Sequence, residues 1–196
     1  ASDVPADQLA SASMLHVSGI SQAISKSASA AVLAAIDAVK AAGGRVSYDT
    51  NLRLGLWSLE EARATIHDTM MRCDIALPGL DDASQLTGLN TPDDIADFYL
   101  GLDVSVVALT LGAKGTLVAT SEARELISSF PVQAVDATAA GDTFDGAFLA
   151  ELLAGSSPFE AARYANAAAA LSTTGYGAVA PIPIREQVTA FLESYA

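Results

Sequence analysis

Short apolar runs alternate along this chain with longer stretches in which apolar residues return every three or four positions, and that alternation predicts a repeating strand and helix order. Met14-Leu15-His16-Val17-Ser18-Gly19 reads as the first strand, and Ala28 to Ala42 as a helix stopped by Gly43-Gly44. Arg45-Val46-Ser47-Tyr48-Asp49 restarts as a strand. A helix from Leu59 to Met71 leads into Cys73-Asp74-Ile75-Ala76-Leu77, and another from Asp93 to Leu100 precedes Val104-Ser105-Val106-Val107-Ala108-Leu109. These strand runs are apolar throughout instead of alternating, as expected of parallel strands covered by helices on both faces. Thr116-Leu117-Val118-Ala119 is expected as the next strand of a hairpin, and Pro131-Val132-Gln133-Ala134-Val135 as a further short strand. Phe144, Phe148 and Leu152 then recur at four-residue spacing, marking a helix for which Gly155 offers a stop. Phe159 to Thr173 and Arg185 to Tyr195 complete the helices, separated by a loop containing Gly175-Tyr176-Gly177 and Pro181-Ile182-Pro183.

Composition narrows the class. The chain has 196 residues, 51% hydrophobic and 17% charged, with no repeat or low-complexity linker. One α/β domain spanning 1–196 is the expected organisation. Ten Lys and Arg against 23 Asp and Glu give a net charge of −13, which disfavours nucleic acid or an anionic membrane as partner. Cys73 is the one cysteine and so has no disulfide partner within the chain. With no signal-peptide pattern at Ala1-Ser2-Asp3-Val4-Pro5 and no long apolar span, a cytoplasmic location is expected. The sequence leaves open whether the chain forms a homo-oligomer.

Chemistry concentrates in Asp136-Ala137-Thr138-Ala139-Ala140-Gly141-Asp142, which runs into Thr143-Phe144-Asp145-Gly146-Ala147-Phe148. The strand, small-residue loop and helix expected here put Asp142 on the first turn of the helix. There the unpaired N–H groups and the positive end of the helix dipole attract phosphate, and Ala139, Ala140 and Gly141 leave room for a ligand to approach. By itself Asp142 could equally be a residue that favours a helix start. Other phosphoryl-transfer designs are missing: no G-x-x-x-x-G-K-S/T loop and no H-R-D with D-F-G pair occurs, and there is no G-x-S-x-G hydrolase elbow.

The pattern D-x-T-x-A-G-D, followed by an aromatic residue and G-A-F, resembles the C-terminal signature of the ribokinase-like (PfkB) carbohydrate kinases. Ala139 stands where that family commonly has Gly; helical dihedrals at the first turn would accommodate it. The resemblance implies an α/β fold, a three-layer α/β/α sandwich with a mostly parallel sheet. It also implies Asp142 as catalytic base, Ala139, Ala140 and Gly141 as anion hole, ATP as phosphoryl donor and Mg2+ as cofactor. Asp49-Thr50-Asn51-Leu52-Arg53-Leu54-Gly55-Leu56-Trp57 lies at the end of an expected strand, where open α/β sheets place ligands. It can be read as a turn with a solvated arginine. It is also similar to a segment of the 2-keto-3-deoxygluconate kinase branch, which implies that Asp49, Asn51 and Arg53 bind the sugar. Arg53 would then grip the acid group, and Asn51 would also face the nucleotide.

Three further assignments rest on the same resemblance. Thr110, Gly112, Lys114 and Gly115 fall where the family has a nucleotide loop, though an ordinary glycine turn fits as well. Asn166 falls where the family often has an Asn beside the nucleotide, with a surface Asn as the alternative. Pro78-Gly79-Leu80-Asp81-Asp82-Ala83 is similar in style to an N-x-x-E element that organises magnesium, with Gly79 in place of Asn and Asp82 in place of Glu. Asp82 is thereby assigned to Mg2+ through water. His16 and His67 lack metal-ligand spacing and are expected to be structural. The early strands, glycine pair and small β lid usual in the family are not recognisable, so the chain is expected to be the C-terminal nucleotide-binding and catalytic part of such a kinase.

Overall fold

The computed structural model describes residues 4–195. The chain forms two compact units: one comprises residues up to Leu109 together with Ala119–Ala123, the other Thr110–Val118 with residues from Arg124 onward.

The first unit contains α1 (Ala6–Leu9), β1 (Met14–Ser18), α2 (Gly19–Ala23), α3 (Lys26–Ala41), β2 (Arg45–Asp49), α4 (Leu59–Met70), β3 (Ile75–Leu77), α5 (Leu80–Thr87) and α6 (Pro92–Leu100), and most of β4 (Val106–Thr110). β1, β2, β3 and β4 pair in that order and all in parallel, with Ser18 opposite Asp49 and Asp49 opposite Leu77. The apolar runs are the reason: Val46, Tyr48, Ile75, Ala76, Val107 and Ala108 are almost wholly buried, as strands covered on both faces require. Helix starts follow local chemistry. Ser25, Ser58 and Thr91 each accept a first-turn N–H, and Pro92 opens α6 where its missing N–H costs nothing.

The second unit holds most of β5 (Thr116–Ala119), then β6 (Arg124–Ile127), α7 (Ala140–Ala154), α8 (Pro158–Ser172) and α9 (Arg185–Glu193). α8 starts on a reciprocal cap in which Ser157 and Glu160 each satisfy the other's backbone N–H. Its buried face is mostly alanine, at 161, 162, 165, 167, 168 and 170, and small side chains let neighbouring backbone approach closely. α9 closes the unit through Val188, buried against Ala167 and Ala168.

One expected strand is absent. Residues 131–135 are irregular, because Pro131 has no N–H to offer a ladder and the N–H groups of Val135 and Asp136 both donate to Thr173 O, at 2.8 and 3.1 Å. Conversely, α1, α2, α5 and β6 form where the sequence pattern predicts no element.

Candidate active site

In the second unit the strand-to-loop connection Leu111 to Gly115 folds back on itself, Leu111 N–H donating to Gly115 O at 2.8 Å across a single 3-10 turn. Gly112 and Gly115 both have positive φ. A Cβ on Gly115 would lie 2.0 Å from Ile127 O, so only glycine lets this loop pack on β6. Asn166 reaches up from α8 to tie the start of β5 to the end of β6 beside this loop. It is 5% exposed; its Oδ1 accepts from Thr116 Oγ1 at 2.8 Å and its Nδ2 donates to Ile127 O at 2.9 Å. The surface alternative for Asn166 is thereby excluded.

Loop and helices enclose a cavity of about 590 Å³. Five of the residues anticipated for nucleotide and anion binding line it: Thr110 from the end of β4, Gly112 and Gly115 from the loop, and Ala140 and Gly141 from the start of α7. Asn166 joins them, while Lys114 is exposed on the loop itself. Sequence reasoning missed the apolar walls, Phe130 and Phe144. Phe144 follows the signature directly, and Phe130 is held by rings of α9 and the turn after it: Phe191 at 5.5 Å and Tyr195 at 5.2 Å between centroids.

The start of α7 differs from expectation at Ala139, which is not in a helical first turn. It is the N-cap, with φ 59° and ψ 19°, a left-handed conformation that glycine adopts freely and alanine does not. Ala140 N–H is used locally, donating to Ala137 O at 3.1 Å, and Thr143 N–H donates to Ala139 O at 2.9 Å. Gly141 and Asp142 therefore supply the first-turn N–H groups that point to no backbone carbonyl of the described residues. Asp142 is itself exposed on that turn.

The loop before α7 is fixed by Asp136, which sequence reasoning quoted but gave no role. Its Oδ1 accepts from Thr138 N–H at 2.9 Å and from Thr138 Oγ1 at 2.6 Å; its Oδ2 accepts from Gly177 N–H at 2.9 Å. Those bonds, the Thr138 hydroxyl foremost, hold its pKa down at about 2. The D-x-T spacing was the available signal, since an Asp commonly bonds backbone two residues on.

In the first unit, Asp49, Asn51, Arg53 and Asp82 are gathered at the C-terminal end of β2. Asp49 Oδ1 accepts from Asn51 N–H at 3.0 Å, and Asn51 has φ 34°. Leu52 is held through both of its backbone polar groups: its N–H donates to Asp82 Oδ2 at 2.7 Å, and its O accepts from Arg53 Nη1 at 2.8 Å. Burial pushes the Asp82 carboxyl above its ordinary range, opposed by the Leu52 bond and the Arg53 charge. Asp82 lies in the first turn of α5, for which Gly79 is the N-cap.

The histidines serve structure. His16 Nδ1 meets Ser47 Oγ at 2.9 Å, and the His67 ring packs 4.9 Å from Phe98. Among the described residues no group of three or more His, Cys, Asp or Glu side chains could hold a metal. Cys73 is buried, its thiol pushed up to about 12 chiefly by desolvation, and no helix of the described residues is long and apolar enough to cross a membrane.

Solved structures share this fold. Fructokinase from Vibrio cholerae O395, bound to fructose, ADP and calcium, superposes with a TM-score of 0.86 at 32% identity, covering 91% of this chain and 60% of that one. Aminoimidazole riboside kinase from Salmonella enterica, complexed with its riboside and an ATP analog, gives 0.85 at 29%, covering 91% and 62%. The fold class is thus the ribokinase-like α/β/α one that the sequence implied. Residues 1–185 match the model of the pfkB family carbohydrate kinases, and the chain belongs to that family. Among curated relatives, 2-dehydro-3-deoxygluconokinase of Bacillus subtilis (strain 168) is 32% identical over 194 residues, which are 98% of this chain and 60% of the relative. The chain thus spans about 60% of the length of each of these proteins.

Proposed function

We propose that the protein of which this chain is a part transfers the γ-phosphoryl group of ATP to a sugar hydroxyl, and that the sugar is 2-keto-3-deoxygluconate, giving its 6-phosphate. The observation that carries this reading is the single cavity into which Thr110, Gly112, Gly115, Ala140, Gly141 and Asn166 converge at the start of α7. Its alanine, glycine and phenylalanine walls suit a base and ribose, and the free N–H groups of Gly141 and Asp142 suit phosphate oxygens. Asp142 acts as base, accepting the proton of the attacking hydroxyl. A loose transition state asks for little early deprotonation, so an ordinary carboxylate suffices and positioning does most of the work. Mg2+, when bound, would neutralise charge developing on the phosphates; among the described residues no group of three or more His, Cys, Asp or Glu side chains could hold it, which suits a metal held mainly by nucleotide phosphates and water. Asp49, Asn51 and Arg53 bind the sugar, with the planar Arg53 fork on its carboxylate. The reduced, buried Cys73 suits a cytoplasmic setting.

A neutral-sugar kinase is the second reading, favoured by the equal likeness to the fructose-bound enzyme. ATP-dependent phosphorylation of 2-keto-3-deoxygluconate, ribose and fructose separates them, measured on this chain and on a version extended at its N-terminus. Selective turnover of the acid sugar, lowered about 100-fold or more by Asp142→Asn, supports the first reading. Turnover of fructose or ribose that Arg53→Ala spares supports the second. Nucleotide binding with no turnover in either version overturns both in favour of a non-catalytic role.

A further inference from the structure

Asp82 falls where the resemblance suggests a magnesium ligand, but its geometry points to another task. We propose that Asp82 is a positioning residue that sets the Asp49 to Arg53 turn, and so fixes the direction of the Arg53 guanidinium toward the acid group of the sugar. The inference rests on the acid-sugar reading above.

Four observations meet at the turn around Leu52. Leu52 is buried, at 6% exposed, and Asp82 Oδ2 receives its N–H at 2.7 Å. The carbonyl of the same residue receives Arg53 Nη1 at 2.8 Å, so one nitrogen of the guanidinium is tied to the residue whose N–H is tied to Asp82. The preceding residue, Asn51, sits at φ 34°, a backbone that relaxes unless its surroundings hold it, and Asp49 Oδ1 holds its N–H at 3.0 Å. Finally, Asp82 is on the first turn of α5, whose buried Ala83 and Leu86 anchor it to the core of the unit. A rigid helix therefore dictates the turn through a charged hydrogen bond, which is stronger and more directional than a neutral one.

The test uses three variants. Asp82→Asn keeps an acceptor for Leu52 N–H without the charge, Asp82→Ala removes the acceptor, and Asp82→Glu keeps the charge on a longer stem. Amide hydrogen exchange of Leu52 reads the turn directly and needs no substrate. Wild type and Asp82→Asn should protect that amide, and Asp82→Ala should speed its exchange about tenfold or more. For turnover of the acid sugar, Asp82→Ala should raise KM for the sugar about tenfold with KM for ATP unmoved, and Asp82→Asn should raise it only about twofold to threefold. The Mg2+ concentration giving half-maximal rate should be the same in all. Equal exchange of the Leu52 amide in wild type and Asp82→Ala overturns the proposal, as does a shift in Mg2+ dependence that Asp82→Asn and Asp82→Ala share and Asp82→Glu repairs. Should wild type phosphorylate no acid sugar, the kinase reading fails on that arm while the exchange arm still decides whether Asp82 sets the turn.

Discussion

Ala139 holds a left-handed backbone immediately before the helix that carries Asp142, and the methyl group makes that conformation unfavourable by roughly 1–2 kcal/mol. Ala139→Gly should therefore raise stability by about 0.5–1 kcal/mol, the relief being partly offset by the greater freedom of glycine in the unfolded chain; a denaturant midpoint measures it. Gly141 is the converse case. A Cβ there would meet no atom within 4 Å, so Gly141→Ala should fold as well as wild type, gaining up to about 1 kcal/mol from helix propensity. Its open space is over the cavity it lines, so nucleotide affinity should nonetheless fall about tenfold, read by calorimetric titration. Asp136 gives a pH dependence. Its pKa is about 2 in the folded chain against an ordinary value near 3.9 when unfolded, so its bonds to Thr138 and Gly177 are fully effective above about pH 4. Their contribution is lost as pH falls from about 4 to about 2. Melting temperatures at pH 5 and pH 3 should diverge less in Asp136→Asn than in wild type.

Within the second unit, Asn166 links α8 to β5 and to the end of β6 through three protein hydrogen bonds, its amide donating to both Ile127 O and Ser128 O. Asn166→Ala leaves Thr116 Oγ1 and Ile127 O without their partner, and should lower stability by about 2–3 kcal/mol in denaturant unfolding, with nucleotide affinity weakened alongside. That role was not legible in the sequence, because an Asn inside an alanine-rich helix looks the same whether it faces solvent or a loop. Short apolar runs, by contrast, placed β2 and β5 at the residues where they form, and helical spacing placed α4 within one residue. The elements that escaped lack such a pattern. β6 reads Arg124-Glu125-Leu126-Ile127 and is largely exposed, so it shows no apolar run; α1 and α2 have four and five residues; and α5 shows only Leu80, Ala83 and Leu86 as its apolar spacing. Residues 131–135 failed the other way, since Val132 and Val135 looked like a strand while Pro131 and the carbonyl of Thr173 decided otherwise. Motif order located the loop and helix start that share the cavity. Their aromatic walls depend on tertiary packing, which spacing does not encode.

For the molecule as a whole, every residue lining the cavity belongs to the second compact unit, while Asp49, Asn51, Arg53 and Asp82 belong to the first. Nucleotide binding should consequently be separable from recognition of the sugar. At about 100 times its dissociation constant a ligand adds roughly 2.7 kcal/mol of stability, and for a chain of this size that corresponds to about 5–10 °C in Tm. A net charge of −13 opposes a polyanion, so the shift from ADP should be larger with Mg2+ than with a chelator present. Arg53→Ala should leave the shift intact, because it removes no group that lines the cavity. Ala113→Trp should abolish it: Ala113 lines the cavity yet is exposed on its loop, so a bulky ring there obstructs the ligand without disturbing a core. A thermal melt of the three proteins with ADP decides the point. If Arg53→Ala loses the shift as completely as Ala113→Trp, nucleotide binding draws on both units and the division of labour proposed for them is wrong.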